Sequence, residues 1–273
     1  MRTRLVVLTS LLALAACGQQ GTGGPAPQLP DDGDALVLRV VETGGSGPGF
    51  DPAPLPFVTV HRDGRVLSLG PVAAIYPPFA WPNVQLHRVD DAVLAELVQA
   101  AQDAGVTGTA DLGDPQIADA RTTSITLVND QGTTTRDVPA LREGIGAPSL
   151  TAEQTAARRA LVALVDRLRD LATTGRPESY RPTAVAAVAR PWTPVDGPLP
   201  EQPAVSWPGP ALPGEPIAPG VGCALATGEQ AAALVRAATS ASTLTPWTDG
   251  GRTWAVTFRP LLPHESGCAD LVP

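Results

Sequence analysis

The chain has no lysine: all 19 basic residues are arginine, and 27 Asp and Glu outnumber them for a formal net charge of −8. An acidic chain lacks the phosphate-neutralising surface that nucleic-acid binding needs, and it offers no polybasic grip on anionic lipid. Nucleic acid is therefore excluded as a partner. Histidine is nearly absent too, with only His61, His87 and His264. No two have i, i+4 spacing, and His264-Glu265 lacks the second histidine of H-E-x-x-H, so no zinc site is read from them. No G-x-S-x-G elbow occurs, and the loop Gly44-Gly45-Ser46-Gly47 has neither that elbow nor the Gly-Lys-Ser/Thr of a phosphate cradle. No cofactor is expected. Aromatics make up 4 % of the chain, and no apolar run reaches the ~20 residues that span a bilayer.

What is present is strongest at the N-terminus. Arg2 and Arg4 precede an apolar run over residues 5–14, which closes on Leu14-Ala15-Ala16-Cys17. This is the charged region, apolar region and small-residue cleavage site of a secretory signal. The cysteine at the cut point gives it the form of a lipobox. Residues 1–16 are therefore expected to be a lipoprotein signal peptide, with Cys17 the lipidated first residue of the mature chain. Lipid, palmitate included, would be the only anchor. Each buried CH₂ contributes about 0.8 kcal/mol, and two or more acyl chains hold where one is marginal. The expected location is the cell membrane, on its extracytoplasmic face. Removing the leader leaves 257 residues; it also removes two arginines, so 17 basic face 27 acidic residues, or −10. Residues 17–34, ending in Asp31, Asp32 and Asp34, read as a flexible tether with a reach of roughly 20–25 Å.

With Cys17 assigned to lipid, Cys223 and Cys268 remain as a pair. Outside the cytoplasm two such thiols are usually joined, so a structural disulfide is expected. Their spacing is unlike the C-x-x-C of a redox pair.

Order is expected from residue 35, where a β-rich run extends to residue 42. Residues 57–61 and 65–69 flank Asp63-Gly64, a pair favoured in type I′ hairpin turns, and residues 84–88 make a further strand. A helix over 91–104 has Asp90 as N-cap, an apolar stripe of Val93, Leu94, Leu97, Val98 and Ala101, and Gly105 as its stop. A second hairpin covers 122–138. A longer helix over 152–173 begins with the capping box Thr151/Gln154, and its Arg158, Arg159, Arg167 and Arg169 are expected on a solvated face. Residues 183–189 suit a strand. Residues 191–220 carry 10 prolines in 30 positions, which speaks against regular structure; they read as a linker or as a segment laid over the surface, the latter favoured by Trp192 and Trp207. Within the last unit, 221–273, a helix capped by Thr227 and Gln230 precedes a strand over 253–259. The fold class expected is α+β: antiparallel hairpins packed with helices over 35–190, plus a disulfide-closed C-terminal helix–strand unit.

Three places hold residues of functional interest. Asp111, Asp114 and Asp119 share a loop where Ca²⁺ could collect oxygen ligands, but the alternating spacing of a calcium loop is missing and a solvated turn is favoured. His61 beside its hairpin turn and His87 in its strand are expected to be partly exposed. Tyr76-Pro77-Pro78-Phe79-Ala80-Trp81 places three of the chain's 11 aromatics within six residues on a proline-stiffened loop. Rigid aromatics of that kind hold a sugar or peptide at low entropic cost, or else plug the end of a small core. Tyr76, Phe79 and Trp81 are the candidate binding residues.

The blocks Ala35-Leu-Val-Leu-Arg-Val-Val-Glu-Thr-Gly-Gly45, Asp63-Gly-Arg-Val66, Ala74-Ile-Tyr-Pro77, Leu244-Thr-Pro-Trp247 and Arg259-Pro-Leu-Leu-Pro-His-Glu-Ser-Gly-Cys268 resemble those of uncharacterised actinobacterial lipoproteins. The resemblance covers most of the mature chain, in the same order. It implies a secreted, lipid-anchored α+β protein and brings no catalytic residues with it. The expected function is a non-catalytic binding or interaction module of the cell envelope, with an envelope protein or glycan as partner. The alternative is an envelope hydrolase or modifying enzyme, which requires a cleft where His87, His61 or the Asp111 loop converge.

Overall fold

The computed structural model describes residues 29–44, 53–194 and 202–271. The leader, Cys17, most of the tether, Ser46 and residues 195–201 lie outside them. Among the described residues the fold is α+β, built from two sheets with helices packed on them, antiparallel throughout except for one short parallel pair at the edge of the second.

The first half runs β1 (Leu36–Gly44), β2 (Val58–His61), β3 (Arg65–Leu69), β4 (Val84–Arg88), α1 (Asp91–Asp103), β5 (Arg121–Asn129), β6 (Gly132–Pro139), α2 (Ala152–Thr173) and β7 (Glu178–Ser179). Its seven strands are ordered β6-β5-β1-β2-β3-β4-β7. The second half runs β8 (Ala184–Pro191), β9 (Val205–Ser206), β10 (Glu215–Ala218), β11 (Val221–Thr227), α3 (Gly228–Thr239), β12 (Trp247–Asp249) and β13 (Arg252–Pro260), and closes on a 3-10 turn, Cys268–Leu271. Its order is β10-β11-β8-β13-β12-β9. Both halves share a plan. The first strand to enter, β1 or β8, becomes an interior strand, and a strand from beyond the helix, β5 directly after α1 or β13 by way of β12 after α3, returns to pair with its free edge.

Register decides which side chains meet. Leu127, Leu38, Val60, Val66 and His87 form one rung across the first sheet, on the face covered by α1 and α2. The helices bury Leu94, Leu97, Leu161, Leu164 and Leu168 against that face. One residue over, the pleat turns Thr126, Arg39, Thr59, Leu67 and Leu86 to the opposite face. That face meets the second half, where Leu262 packs on Leu67 and Val84. Strand β8 is buried along both faces, since Ala184, Ala186 and Val188 face the disulfide side while Val185, Ala187 and Ala189 face α3. Small alanines there let covering elements approach from both sides.

Both expected helix starts in the first half have side-chain caps: Asp90 accepts from the Val93 amide at 2.9 Å, and Thr151 and Gln154 form the reciprocal capping box. Cys223 and Cys268 are joined, tying β11 to the final 3-10 turn with Cα atoms 6.0 Å apart.

Several expectations are corrected. The β2–β3 connection is not a type I′ turn. The Gly64 amide donates to the His61 carbonyl at 3.0 Å and only Gly64 is left-handed, at φ +79°, so a three-residue loop carries its glycine at the last position. A Cβ at Gly64 would also lie 2.2 Å from the Val89 carbonyl oxygen, so glycine is required on two counts. Thr227 is the N-cap of α3 but makes no side-chain cap bond. The proline-rich stretch is not free of regular structure: β9 pairs with β12 and β10 with β11, because prolines are tolerated at sheet edges where no ladder donor is needed. Arg158 is not solvated. It is fully buried and donates to the carbonyls of Leu112, Gly113, Pro139 and Ala140 at 2.7–3.1 Å. Arg167 does lie at the surface, paired with Glu96.

Candidate functional site

The loop of residues 70–83 joins β3 to β4 and is closed at its base by the Gly70 amide donating to the Asn83 carbonyl at 2.7 Å. Its second limb is strapped to the segment after α3. The Ala80 amide donates to the Ala241 carbonyl and the Thr243 amide to the Pro78 carbonyl, each at 2.9 Å, so Phe79 bridges Ser242. Trp81 turns inward onto the core of the second half. Phe79 remains 58 % exposed.

Between this strapped limb, the β4–β7 edge and the end of α3 lies an open groove of about 250 Å³. Phe79 and Trp81 form its aromatic wall, with Asn83, Ser179, Tyr180 and Thr239 around them. The Tyr180 hydroxyl donates to the Leu261 carbonyl at 2.8 Å, and burial pushes its pKa up to about 12, so this phenol serves as a fixed wall. Among the described residues, no carboxylate, imidazole or thiol lines the groove. An aromatic face with neutral donors and acceptors around it has the chemistry of a ligand-holding surface. Tyr76, the third aromatic of the loop, stands 67 % exposed and apart from the groove.

The histidines form a different arrangement. His61 is fully buried, its Nδ1 3.1 Å from the Asp34 carbonyl and its Nε2 3.1 Å from Thr59 Oγ1. His264 comes from the turn after β13 to within 5.2 Å of it, ring centre to ring centre. Beside them Arg259 and Glu265 form a buried ion pair at 2.7 Å, and the second Glu265 oxygen accepts from the Leu262 amide at 2.7 Å. Burial lowers the pKa of both imidazoles, that of His264 to about 4, with His61, Arg39 and Arg259 adding to the effect. Burial also raises the Glu265 carboxyl against the pull of Arg259. The His264 Nδ1 has no partner among the described residues. Neutral rings packed between two halves of a fold act as a seam.

His87 is buried as well, on the helix face of the first sheet, so the sheet itself separates it from His61. The expectation that both were partly exposed is corrected: a polar residue next to a turn is still buried when another element lies across it. The Asp111 loop sits at the start of α2, beside the end of β6, five strand spacings or about 24 Å from β4. Asp111 accepts from the Gly113 amide and from Gln154 Nε2, and Asp114 accepts from the Gln116 amide, so both close turns of their own loop. Among the described residues no group of three or more His, Cys, Asp or Glu is placed to hold a metal ion.

No family model, no curated protein and no solved structure matches the chain. The site therefore stands on its own geometry. Sequence reasoning reached Phe79 and Trp81 through their clustering, but Ser179, Tyr180 and Thr239 arrive from positions about 100 and 160 residues away, by sheet pairing and helix placement that no local pattern carries.

Proposed function

We propose that this chain is a lipid-anchored, non-catalytic binding module of the cell envelope, with the groove at Phe79 and Trp81 as its ligand seat. The observation that carries the reading is the groove itself: an aromatic wall and neutral polar groups, with no carboxylate, imidazole or thiol among the described residues that line it. Its fixed walls favour binding, because little freedom is lost when a ligand enters a preformed seat. An envelope protein or glycan fits that chemistry.

The location rests on separate support. The lipobox at Leu14-Ala15-Ala16-Cys17 makes Cys17 the anchor. The Cys223–Cys268 disulfide fits an oxidising compartment. No helix among the described residues is long and apolar enough to cross a membrane.

The groove is tested by cross-linking the chain to its envelope partners with and without Ser179→Trp, which fills the groove from an exposed two-residue strand, and Phe79→Ala, which removes its wall. Partner recovery is expected to fall in both; recovery equal to wild type would exclude the groove. The anchor is tested by labelling cells with radioactive palmitate, where Cys17→Ser is expected to abolish incorporation. Equal incorporation in both chains would remove the anchor from the reading.

A further inference from the structure

Residues 69–82 form a run of 14 positions without a single charged side chain. In the fold, positions 71–76 are all exposed. Val72 is 80 %, Ile75 50 % and Tyr76 67 % exposed, and five of the eight large hydrophobic residues left in solvent among the described residues fall between Leu69 and Phe79. Scattered exposed hydrophobics need no explanation, whereas a contiguous patch marks a contact surface. The groove takes Phe79 and Trp81, so the outer limb carrying Val72, Ile75 and Tyr76 is left over.

We infer that this outer limb rests in the interfacial region of the lipid bilayer to which the chain is anchored. The inference rests on the anchor proposed at Cys17. From there residues 18–28 precede the described chain, and 11 residues can span at most about 40 Å. The tether joins the fold at Gly33 and Asp34, beside Asp63 and Arg65 in the β2–β3 turn. The apolar limb lies at the other end of β3, five residues or about 17 Å away. That maximum span exceeds the distance between the point of attachment and the limb, so a chain anchored at Cys17 would hold the limb at high effective concentration near the lipid.

Composition favours lipid over a protein partner. The limb offers aliphatic and tyrosine side chains, the kind that settle at headgroup level. It offers no charge to set the register of a protein contact, and its strapped second limb uses its backbone groups on residues 241–243. With an acidic chain and no charge on the limb, contact would come from apolar burial, unaided by anionic lipid.

The test uses the full lipidated chain reconstituted in phosphatidylcholine vesicles containing bromine-labelled acyl chains, which quench nearby tryptophan. Two variants place a tryptophan at an exposed position, Tyr76→Trp on the limb and Ile117→Trp on the loop before β5, and each is read as a difference from the wild-type signal. Quenching at position 76 and none at 117 is expected, unchanged by salt. Adding Val72→Asp and Ile75→Asp to Tyr76→Trp should cut that quenching roughly threefold or more while the chain still floats with the vesicles. No quenching at position 76 in a chain that floats would overturn the lipid contact and leave the anchor standing. The same result together with shielding of position 76 from acrylamide in native membranes would assign the limb to a protein. A chain that neither floats nor labels with palmitate would remove the anchor, and this inference with it.

Discussion

Arg158 Nε donates to the Leu112 carbonyl at 2.7 Å, fastening the first turns of α2 to a loop 46 residues earlier in the chain. The same guanidinium holds the Gly113, Pro139 and Ala140 carbonyls, so one fully buried cation organises three segments. Arg158→Met keeps the stem and removes every one of these donors. It is expected to destabilise the fold by about 3–5 kcal/mol, the range for breaking a buried charged network. Arg158→Lys should recover only part, because an ammonium cannot reproduce the planar fork. Urea unfolding of the three chains measures this, and equal midpoints would show the network to be dispensable.

The disulfide closes a loop with a sequence separation of 45. Chain entropy assigns such a loop about 4 kcal/mol at the upper end. Replacing both Cys223 and Cys268 by serine is expected to lower the melting temperature by about 10 °C. Amide exchange should rise first over residues 268–271, whose 3-10 turn is tied to β11 by this bond.

Acid should weaken the seam between the halves. In the unfolded chain the His264 imidazole takes up a proton near pH 6.5, but in the fold burial delays this to about pH 4. Between those values the unfolded chain binds more protons, so stability present above pH 6.5 is lost as pH falls towards 4, by up to about 3 kcal/mol. His61, also lowered, acts in the same sense. Glu265, raised by burial, acts in the opposite sense above pH 4.5. Urea unfolding at pH 7, 5.5 and 4.5 should show the decline, and His264→Gln should flatten it. An equally steep profile in the variant would assign the effect elsewhere.

Trp207 holds the proline-rich segment down. Its ring meets Trp247 edge-on at 5.5 Å and lies 5.9 Å from Phe258, while Nε1 donates to the Pro210 carbonyl at 2.6 Å. Trp207→Ala is expected to destabilise by about 3–5 kcal/mol and to open residues 202–214 to limited proteolysis. Cleavage at the wild-type rate would mean that the neighbouring strands alone hold the segment.

The legible parts of this fold are those with local causes. Asp90, Thr151 and Gln154 announce helix starts because their side chains bond to amides a turn away, and alternation over 253–259 announces β13 because a half-buried strand needs it. Arg158 was illegible for the opposite reason. It shares α2 with Arg159 and Arg167, and only the arrival of Leu112 and Ala140 from elsewhere distinguishes it from its neighbours. Strand β11, pressed on both sides, shows no alternation across Gly222, Cys223 and Ala224. The aromatic pair of the groove was visible as a cluster, whereas its separation from Tyr76 followed from the bonds of residues 78–80 to residues 241 and 243.

Those bonds give the groove a second property. Its walls belong to both halves of the molecule: Asn83 stands just before β4 and Ser179 in β7 of the first sheet, Thr239 at the end of α3 in the second half. A ligand seated there would touch one half through the β4–β7 edge and the other through the helix end. It would bind the docked arrangement and have no comparable seat on either half apart. By mass action, occupancy would then stabilise the docked arrangement of the two halves, so that unfolding would require a ligand-concentration-dependent excess of denaturant.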